Sequence, residues 1–201
     1  MMNRAIQTMR GVAISALVGA VAFTCGCTRQ PPAPEVSDFM AQMSDASAEN
    51  RLDAVKEVEA QAETMSEAEA VLVVPALREA LRDSDPQVRY RAVKALAKLK
   101  AASAPAVPEL TTTLSDEDPK TRYYSAKALA KIGRPSRPAL PQLTQALYDE
   151  DPEVQFYAAK AIGNIGTEAK GAISALESLA AGDAPPNVQE EALKSIDKIN
   201  S

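Results

Sequence analysis

Asp85-Pro86-Gln87-Val88-Arg89-Tyr90-Arg91-Ala92-Val93-Lys94-Ala95-Leu96-Ala97-Lys98-Leu99 decides the fold, because the chain writes it again twice. It returns as Asp118-Pro119-Lys120-Thr121-Arg122-Tyr123-Tyr124-Ser125-Ala126-Lys127-Ala128-Leu129-Ala130-Lys131-Ile132. It returns again as Asp151-Pro152-Glu153-Val154-Gln155-Phe156-Tyr157-Ala158-Ala159-Lys160-Ala161-Ile162-Gly163-Asn164-Ile165. Asp85, Asp118 and Asp151 stand 33 residues apart, and a fixed period of this size marks a solenoid.

Each copy opens like a helix. An Asp side chain accepts a hydrogen bond from a free N–H of the first turn, and Pro at the first helical position lacks the N–H that would go unpaired anyway. This gives Asp85-Pro86, Asp118-Pro119 and Asp151-Pro152 a structural role. Val88, Ala92, Ala95, Leu96 and Leu99 then fall at helical spacing on one apolar stripe. Small Ala92, Ala128 and Ala161 leave room for a neighbouring helix.

A shorter apolar helix precedes each of these, at Pro75–Leu81, Pro108–Leu114 and Pro141–Leu147. Each Pro sits within the helical pattern, so a kink or a late start is expected there. One repeat is therefore two antiparallel helices. No pair buries both faces alone, so stability comes from stacking.

Asp-Pro-x-Val-Arg at 85–89, Ala92, Leu96 and the closing Ile-Gly at 132–133 and 165–166 resemble the short HEAT-like repeats, the class that includes the phycobilisome-lyase type. The likeness covers about residues 48–200. It implies an all-α solenoid of about five helix pairs, and says little of function, because such folds serve scaffolds, adaptors and a few enzymes. It also implies that the second helix of each pair lines a concave side, and that Arg89 and Arg122, four residues after their Asp, belong to an Asp–Arg ladder joining successive repeats. Ankyrin repeats share the period, but their Thr-Pro-Leu-His signature is absent.

Composition agrees with helix pairs. The chain has 201 residues, 46% hydrophobic but only 4% aromatic, with no Trp and no His, which suits small-residue helix packing better than a sandwich or barrel. Residues 1–27 read as a lipoprotein-type signal peptide: Arg4 and Arg10, an uncharged apolar run from Gly11 to Thr24, then Thr24-Cys25-Gly26-Cys27. Cys27 is the candidate lipidation site. Cleavage after Ala22, leaving a soluble secreted protein, and an uncleaved anchor remain alternatives. Residues 28–36, with Pro31, Pro32 and Pro34, read as an extended tether. Residues 37–201 form the solenoid: an N-terminal cap repeat at 37–66, central repeats at 67–182, and the last helix with the C-terminal cap at 183–201. Arg51–Val58 is a degenerate first copy, offset by 38. In the last copy, from Pro186, Glu190 and Glu191 replace the aromatic pair.

Charge is uneven. Residues 28–201 carry 20 basic and 27 acidic residues, so the overall field expected of a nucleic-acid binder is absent. Residues 35–69 hold ten acids against two bases, whereas residues 120–137 hold six bases and no acid. Positions 91, 94 and 98 share a helix face. Down the stack that face reads Arg91, Lys94, Lys98; Tyr124, Lys127, Lys131; Tyr157, Lys160, Asn164; and Glu191, Lys194, Lys198. Lys94, Lys127, Lys160 and Lys194 make one column, extended by Lys56. Basic residues beside Tyr suit an acidic protein segment, an anionic glycan or a phosphate-rich ligand; a merely solvated face is the plain alternative. Tyr90, Tyr123 and Phe156 share one repeat position and suit packing between repeats, leaving Tyr124 and Tyr157 as contact candidates.

The chemistry of most enzymes is missing. Without His there is no His-based acid–base or zinc site, and no Gly-rich phosphate loop or nucleophile elbow appears. The acidic loops 83–85, 116–118 and 149–151 lack the spaced ligands and central Gly of a calcium loop. The expectation is a non-catalytic interaction scaffold of the cell envelope, without metal or cofactor, held to a membrane by lipid on Cys27 and binding a protein on Arg91, Lys94, Lys98, Tyr124, Lys127, Lys131, Tyr157, Lys160 and Lys194. A lyase-type protein handling a ligand or chromophore and a spacer without a dedicated ligand are the alternatives.

Overall fold

The computed structural model describes residues 34–201, with side chains from Phe39 onward. Cys27, the signal segment and tether residues 28–33 lie outside the described residues. Ten α-helices follow one another without a strand among the described residues: α1 (Pro34–Met43), α2 (Ala48–Gln61), α3 (Glu67–Ala80), α4 (Pro86–Leu99), α5 (Val107–Thr113), α6 (Pro119–Ile132), α7 (Leu140–Ala146), α8 (Pro152–Ile165), α9 (Ile173–Ala181) and α10 (Pro186–Asn200). They pair in order into five antiparallel units. The tether boundary at residue 36 shifts, because α1 already begins at Pro34, a residue whose fixed φ suits a first helical position.

The repeated Asp-Pro makes each second helix start where the sequence places it. Asp85 accepts from the Gln87 N–H at 2.7 Å and Asp151 from that of Glu153 at 2.9 Å. Asp118 spreads its acceptance over Lys120 and Thr121. The first helices differ among themselves. Pro108 and Pro141 stand in the first turns of α5 and α7, which start late after 3-10 turns at Lys100–Ala106 and Arg134–Ala139. Pro75 instead lies inside α3, because that helix has an earlier start of its own. The Ser66 N–H donates to Glu69 Oε2 at 2.8 Å and the Glu69 N–H donates to Ser66 Oγ at 3.3 Å, a reciprocal capping box.

α4, α6 and α8 end on equivalent residues with positive φ: Lys100 at 56°, Gly133 at 74° and Gly166 at 81°. The turn that follows folds back on the helix it leaves. Buried Ser103 donates to the Leu96 carbonyl at 2.7 Å, and Ser136 to that of Leu129 at 2.9 Å. At Leu129 this is a second bond to a carbonyl that already accepts from the Gly133 N–H at 3.0 Å, so the turn is tied to the helix end by side chain as well as backbone.

Stacking supplies the core. α2, α4, α6, α8 and α10 pack directly on one another, whereas from α3 onward the first helices meet their neighbours through the 3-10 turns. The closer layer is the one that the resemblance to HEAT-like repeats puts on the concave, inner side. Leu96, Leu129 and Ile162 are fully buried, as are the small Ala92, Ala128 and Ala161. α8 and α10 approach closely: a Cβ on Gly163 would meet the Ser195 Oγ at 2.5 Å and its Cα at 2.9 Å.

Charged rungs register one pair against the next. Arg89 Nε donates to Asp116 Oδ2 at 2.7 Å and its Nη2 to Oδ1 at 3.1 Å. Arg122 grips Asp149 in the same bidentate manner at 2.8 and 3.1 Å. Arg51 grips Asp83 at 2.6 and 2.8 Å. The acid in each rung is thus the first Asp of the next loop, not the helix-capping Asp four residues before the Arg. Each Arg also donates to a carbonyl of its own loop, Arg89 to Asp83 and Arg122 to Asp116, so every guanidinium ties two loops. In α8 Gln155 replaces the Arg and keeps only the carbonyl bond, to Asp149 at 2.7 Å.

Burial pushes the Asp116 carboxyl up, but the Arg89 hydrogen bonds and the Asp118 N–H outweigh it and hold it below the usual range. Asp83 is held down chiefly by Arg51. A lowered folded-state value means that this stabilisation is complete above the unfolded carboxylate range near about 4 and is lost as pH falls through the folded value.

Three outcomes follow from this packing. Thermal midpoints read by circular dichroism stay level from about pH 8 to 5 and fall below about pH 4, and Asp116→Asn lowers the midpoint at pH 7 while flattening that acid slope; Arg89→Ala costs about 3 kcal/mol in urea denaturation by stranding a mostly buried acid. Gly163→Ala destabilises by about 2 kcal/mol through overpacking, although Ala is the better helix former. Lys100→Gly gains roughly 0.5–1 kcal/mol by relieving a positive φ that Lys adopts at a cost.

Candidate functional site

The inner face divides into two regions of different chemistry. The first is centred on Glu59 of α2, only 5% exposed. Three cations of α4 converge on it: Arg91 at 2.8 Å, Lys94 at 2.9 Å and Lys98 at 3.4 Å. Lys98 also donates to the Glu59 carbonyl at 3.1 Å. Burial pushes the Glu59 carboxyl up, and the hydrogen bonds and charges of Arg91 and Lys94 overcome it, leaving the group below its ordinary range. Arg91, Lys94 and Lys98 therefore do not form the solvated face that their spacing suggested. They are half-buried between two helices and already hold a carboxylate.

The second region lies on α6 and α8. Five rings form one unbroken edge-to-face ladder. Tyr90 meets Tyr124 at 5.7 Å between centroids, Tyr124 meets Tyr123 at 4.7 Å, Tyr123 meets Tyr157 at 5.2 Å, and Tyr157 meets Phe156 at 5.2 Å. The two aromatic positions of each repeat interleave, so Tyr124 and Tyr157 do not stand apart from Tyr90, Tyr123 and Phe156. All five are half-buried.

Lysines lie over this ladder. The Lys127 ammonium is 4.9 Å from the Tyr123 centroid, 5.1 Å from Tyr157 and 5.4 Å from Tyr124, and it donates to the Tyr123 hydroxyl at 2.8 Å. Lys160 lies 5.6 Å from the Phe156 ring and 5.9 Å from Tyr157. Ring faces stabilise a cation without neutralising it. Among the described residues no carboxylate pairs with Lys127, Lys131 or Lys160. Lys131 remains exposed yet crowded. Desolvation first, then repulsion from Lys127, Lys100 and Lys98, pulls its pKa below the ordinary lysine value against the attraction of Glu63, which lies near without forming an ion pair with it.

Towards the last pair the column closes again. Lys194 is exposed and pairs with Glu190 of its own helix at 2.7 Å. Lys198 donates to Asn164 Oδ1 at 3.2 Å. At the other end Lys56 pairs with Asp53 at 3.0 Å. The structure thus brings Lys127, Lys131, Lys160, Tyr124 and Tyr157 together as one basic and aromatic surface and assigns internal partners to the remaining candidates.

Residues outside the sequence-based set organise the charges. Glu59 occupies the register of Ala97, Ala130 and Gly163, small residues in the three central second helices, and that contrast is its signal in the sequence; the terminal α10 carries Asp197 there. On the outer layer Glu109, 4% exposed, is held by Arg78 at 2.8 and 3.0 Å and by Arg82 at 2.9 Å. The Arg78 hydrogen bonds lead in holding its carboxyl below the usual range. Among the described residues no His, Cys, Asp and Glu side chains gather as a metal site, and no helix is long and apolar enough to cross a membrane.

Comparison with known proteins agrees with this architecture. A computationally designed armadillo repeat protein for modular peptide recognition is 25% identical, with a TM-score of 0.69 over 82% of each chain. The archaeal HEAT-like repeat protein of Thermococcus onnurineus NA1 is 14% identical, with a TM-score of 0.62 over 82% of this chain and 70% of its own. The complex of CpcE and CpcF of phycocyanin lyase from Nostoc sp. PCC7120 matches at 17% identity and a TM-score of 0.58, over 80% of this chain and 96% of the other. The last two are likenesses of fold alone. No curated protein sequence matches the chain. The family profile for HEAT repeats matches residues 36–113 and 107–197, so the chain belongs to the HEAT repeat family.

Proposed function

We propose that the chain is a non-catalytic scaffold that binds a segment of another protein on the inner face of α6 and α8. One observation carries this reading. Lys127 and Lys160 are held over one aromatic ladder, with Lys131 a helical turn on from Lys127, and no carboxylate pairs with any of the three, although the neighbouring cations Arg91, Lys94 and Lys98 have one. Unpaired cations on a largely rigid helical surface cost little reorganisation on binding, which favours a partner that brings the missing charge. A HEAT repeat stack and its likeness to a designed protein for modular peptide recognition support a peptide or protein partner. The lyase-type alternative rests on likeness of fold alone. The envelope setting rests on the sequence of residues 1–27, with lipid on Cys27 as the membrane tether and residues following it as a spacer.

Affinity capture from envelope extract with the full chain in mild detergent tests the reading, beside a Lys127→Glu, Lys160→Glu variant whose helicity and melting are unchanged. The native chain is expected to retain a protein that the variant loses. Equal retention by both, or retention by neither, overturns it.

A further inference from the structure

Glu59 shows what this inner face accepts, because it is a carboxylate already seated there. Its seat is built from the floor position on one second helix and three side chains on the next. Register fixes the equivalent seats. Arg51 makes with Asp83 the rung that Arg89 makes with Asp116, so residue 59 corresponds to residue 97. A step of 33 then leads to Ala130. Backbone contacts agree: Lys98 donates to the Glu59 carbonyl at 3.1 Å, and Asn164, at the Lys98 position two repeats on, donates to the Ala130 carbonyl at 2.9 Å.

The floor of the second seat is Ala97, faced by Tyr124, Lys127 and Lys131. The floor of the third is Ala130, faced by Tyr157, Lys160 and Asn164. In both, the residue that would project a carboxylate is alanine; of the three cations around Glu59, the second seat keeps Lys127 and Lys131, with Tyr124 at the Arg91 position, and the third keeps Lys160, with Tyr157 and Asn164 at the other two.

We propose that these two seats receive the carboxylate side chains of an acidic peptide segment, with Glu59 permanently filling the first seat and so closing the N-terminal end of the groove. The inference rests on the reading of the inner face as the partner surface and names the chemistry of that partner. A side-chain carboxylate is favoured because a carboxylate is what the first seat holds, by an arrangement that also uses a neighbouring carbonyl as acceptor. The ring ladder beside Lys127 and Lys160 offers apolar surface to the aliphatic stem of a Glu side chain, which a bare phosphate lacks.

The test measures binding of fluorescein-labelled octaglutamate to the full chain by anisotropy at low salt, with octaglutamine as the uncharged control and tripolyphosphate as competitor. The native chain is expected to bind octaglutamate, more weakly as salt rises, and not octaglutamine. Lys127→Gln with Lys160→Gln is expected to weaken binding at least tenfold. Glu59→Ala, which empties the first seat and gives it the floor residue of the other two, is expected to tighten it about fivefold. Ala97→Glu, which fills the second seat from within as Glu59 fills the first, is expected to weaken it about fivefold; circular dichroism melts confirm that each variant folds, and either of the last two suffices if the other does not fold. Indifference of affinity to these seat changes overturns the inference, as does equal binding of octaglutamine, absence of octaglutamate binding, or tripolyphosphate binding in its place. A partner captured from envelope extract and lost with Lys127→Glu, Lys160→Glu, together with no octaglutamate binding, overturns the carboxylate assignment and leaves the scaffold reading standing.

Discussion

One guanidinium per repeat sets the register of the whole stack. An Arg in the first turn of a second helix binds the first Asp of the next acidic loop through two parallel bonds and a carbonyl of its own loop through a third. A fork of this kind has one satisfactory geometry, so it fixes rotation as well as distance between neighbouring pairs. Apolar contacts between Ala, Val and Leu side chains are less particular about a small sliding of one helix over another. The rung selects one arrangement among those that the core tolerates. Where Gln155 replaces Arg, registration passes to close backbone approach, with Gly163 against Ser195.

Periodicity made the fold readable. The 33-residue step, the capping Asp, the Pro after it and the apolar stripe each describe local events, and local events are what a sequence states most directly. Gly133 and Gly166 follow the same logic, and Lys100 obeys the backbone that they define rather than its own preference. The start of α1 was harder to read. Pro31, Pro32 and Pro34 look alike in the sequence, and nothing in that run marks Pro34 as the first residue of α1.

The inner face was read less well, for a physical reason. Lysines spaced three and four apart look solvated on an isolated helix. In the stack the neighbouring second helix comes so close that Arg91, Lys94 and Lys98 are half-covered and meet Glu59, which lies 32 to 39 residues earlier in the chain. The rungs show the same limit. A ladder joining successive repeats was expected from the resemblance, but which Asp each guanidinium reaches, the first of the following loop and 27 residues ahead for Arg89 and Arg122, is not written in one copy. Contacts between copies depend on the offset between neighbours, and a repeat unit read alone does not contain that offset.

Glu59 also sets one end of the solenoid apart from the rest. A head-to-tail stack of identical units is already polar, but each interior position repeats the next, so nothing on its surface marks how far along the stack a position lies. A carboxylate supplied from within by α2 breaks that repetition. The inner face has an internally neutralised end at α4 and a run of cations without paired carboxylates along α6 and α8, so position along the stack is written in charge.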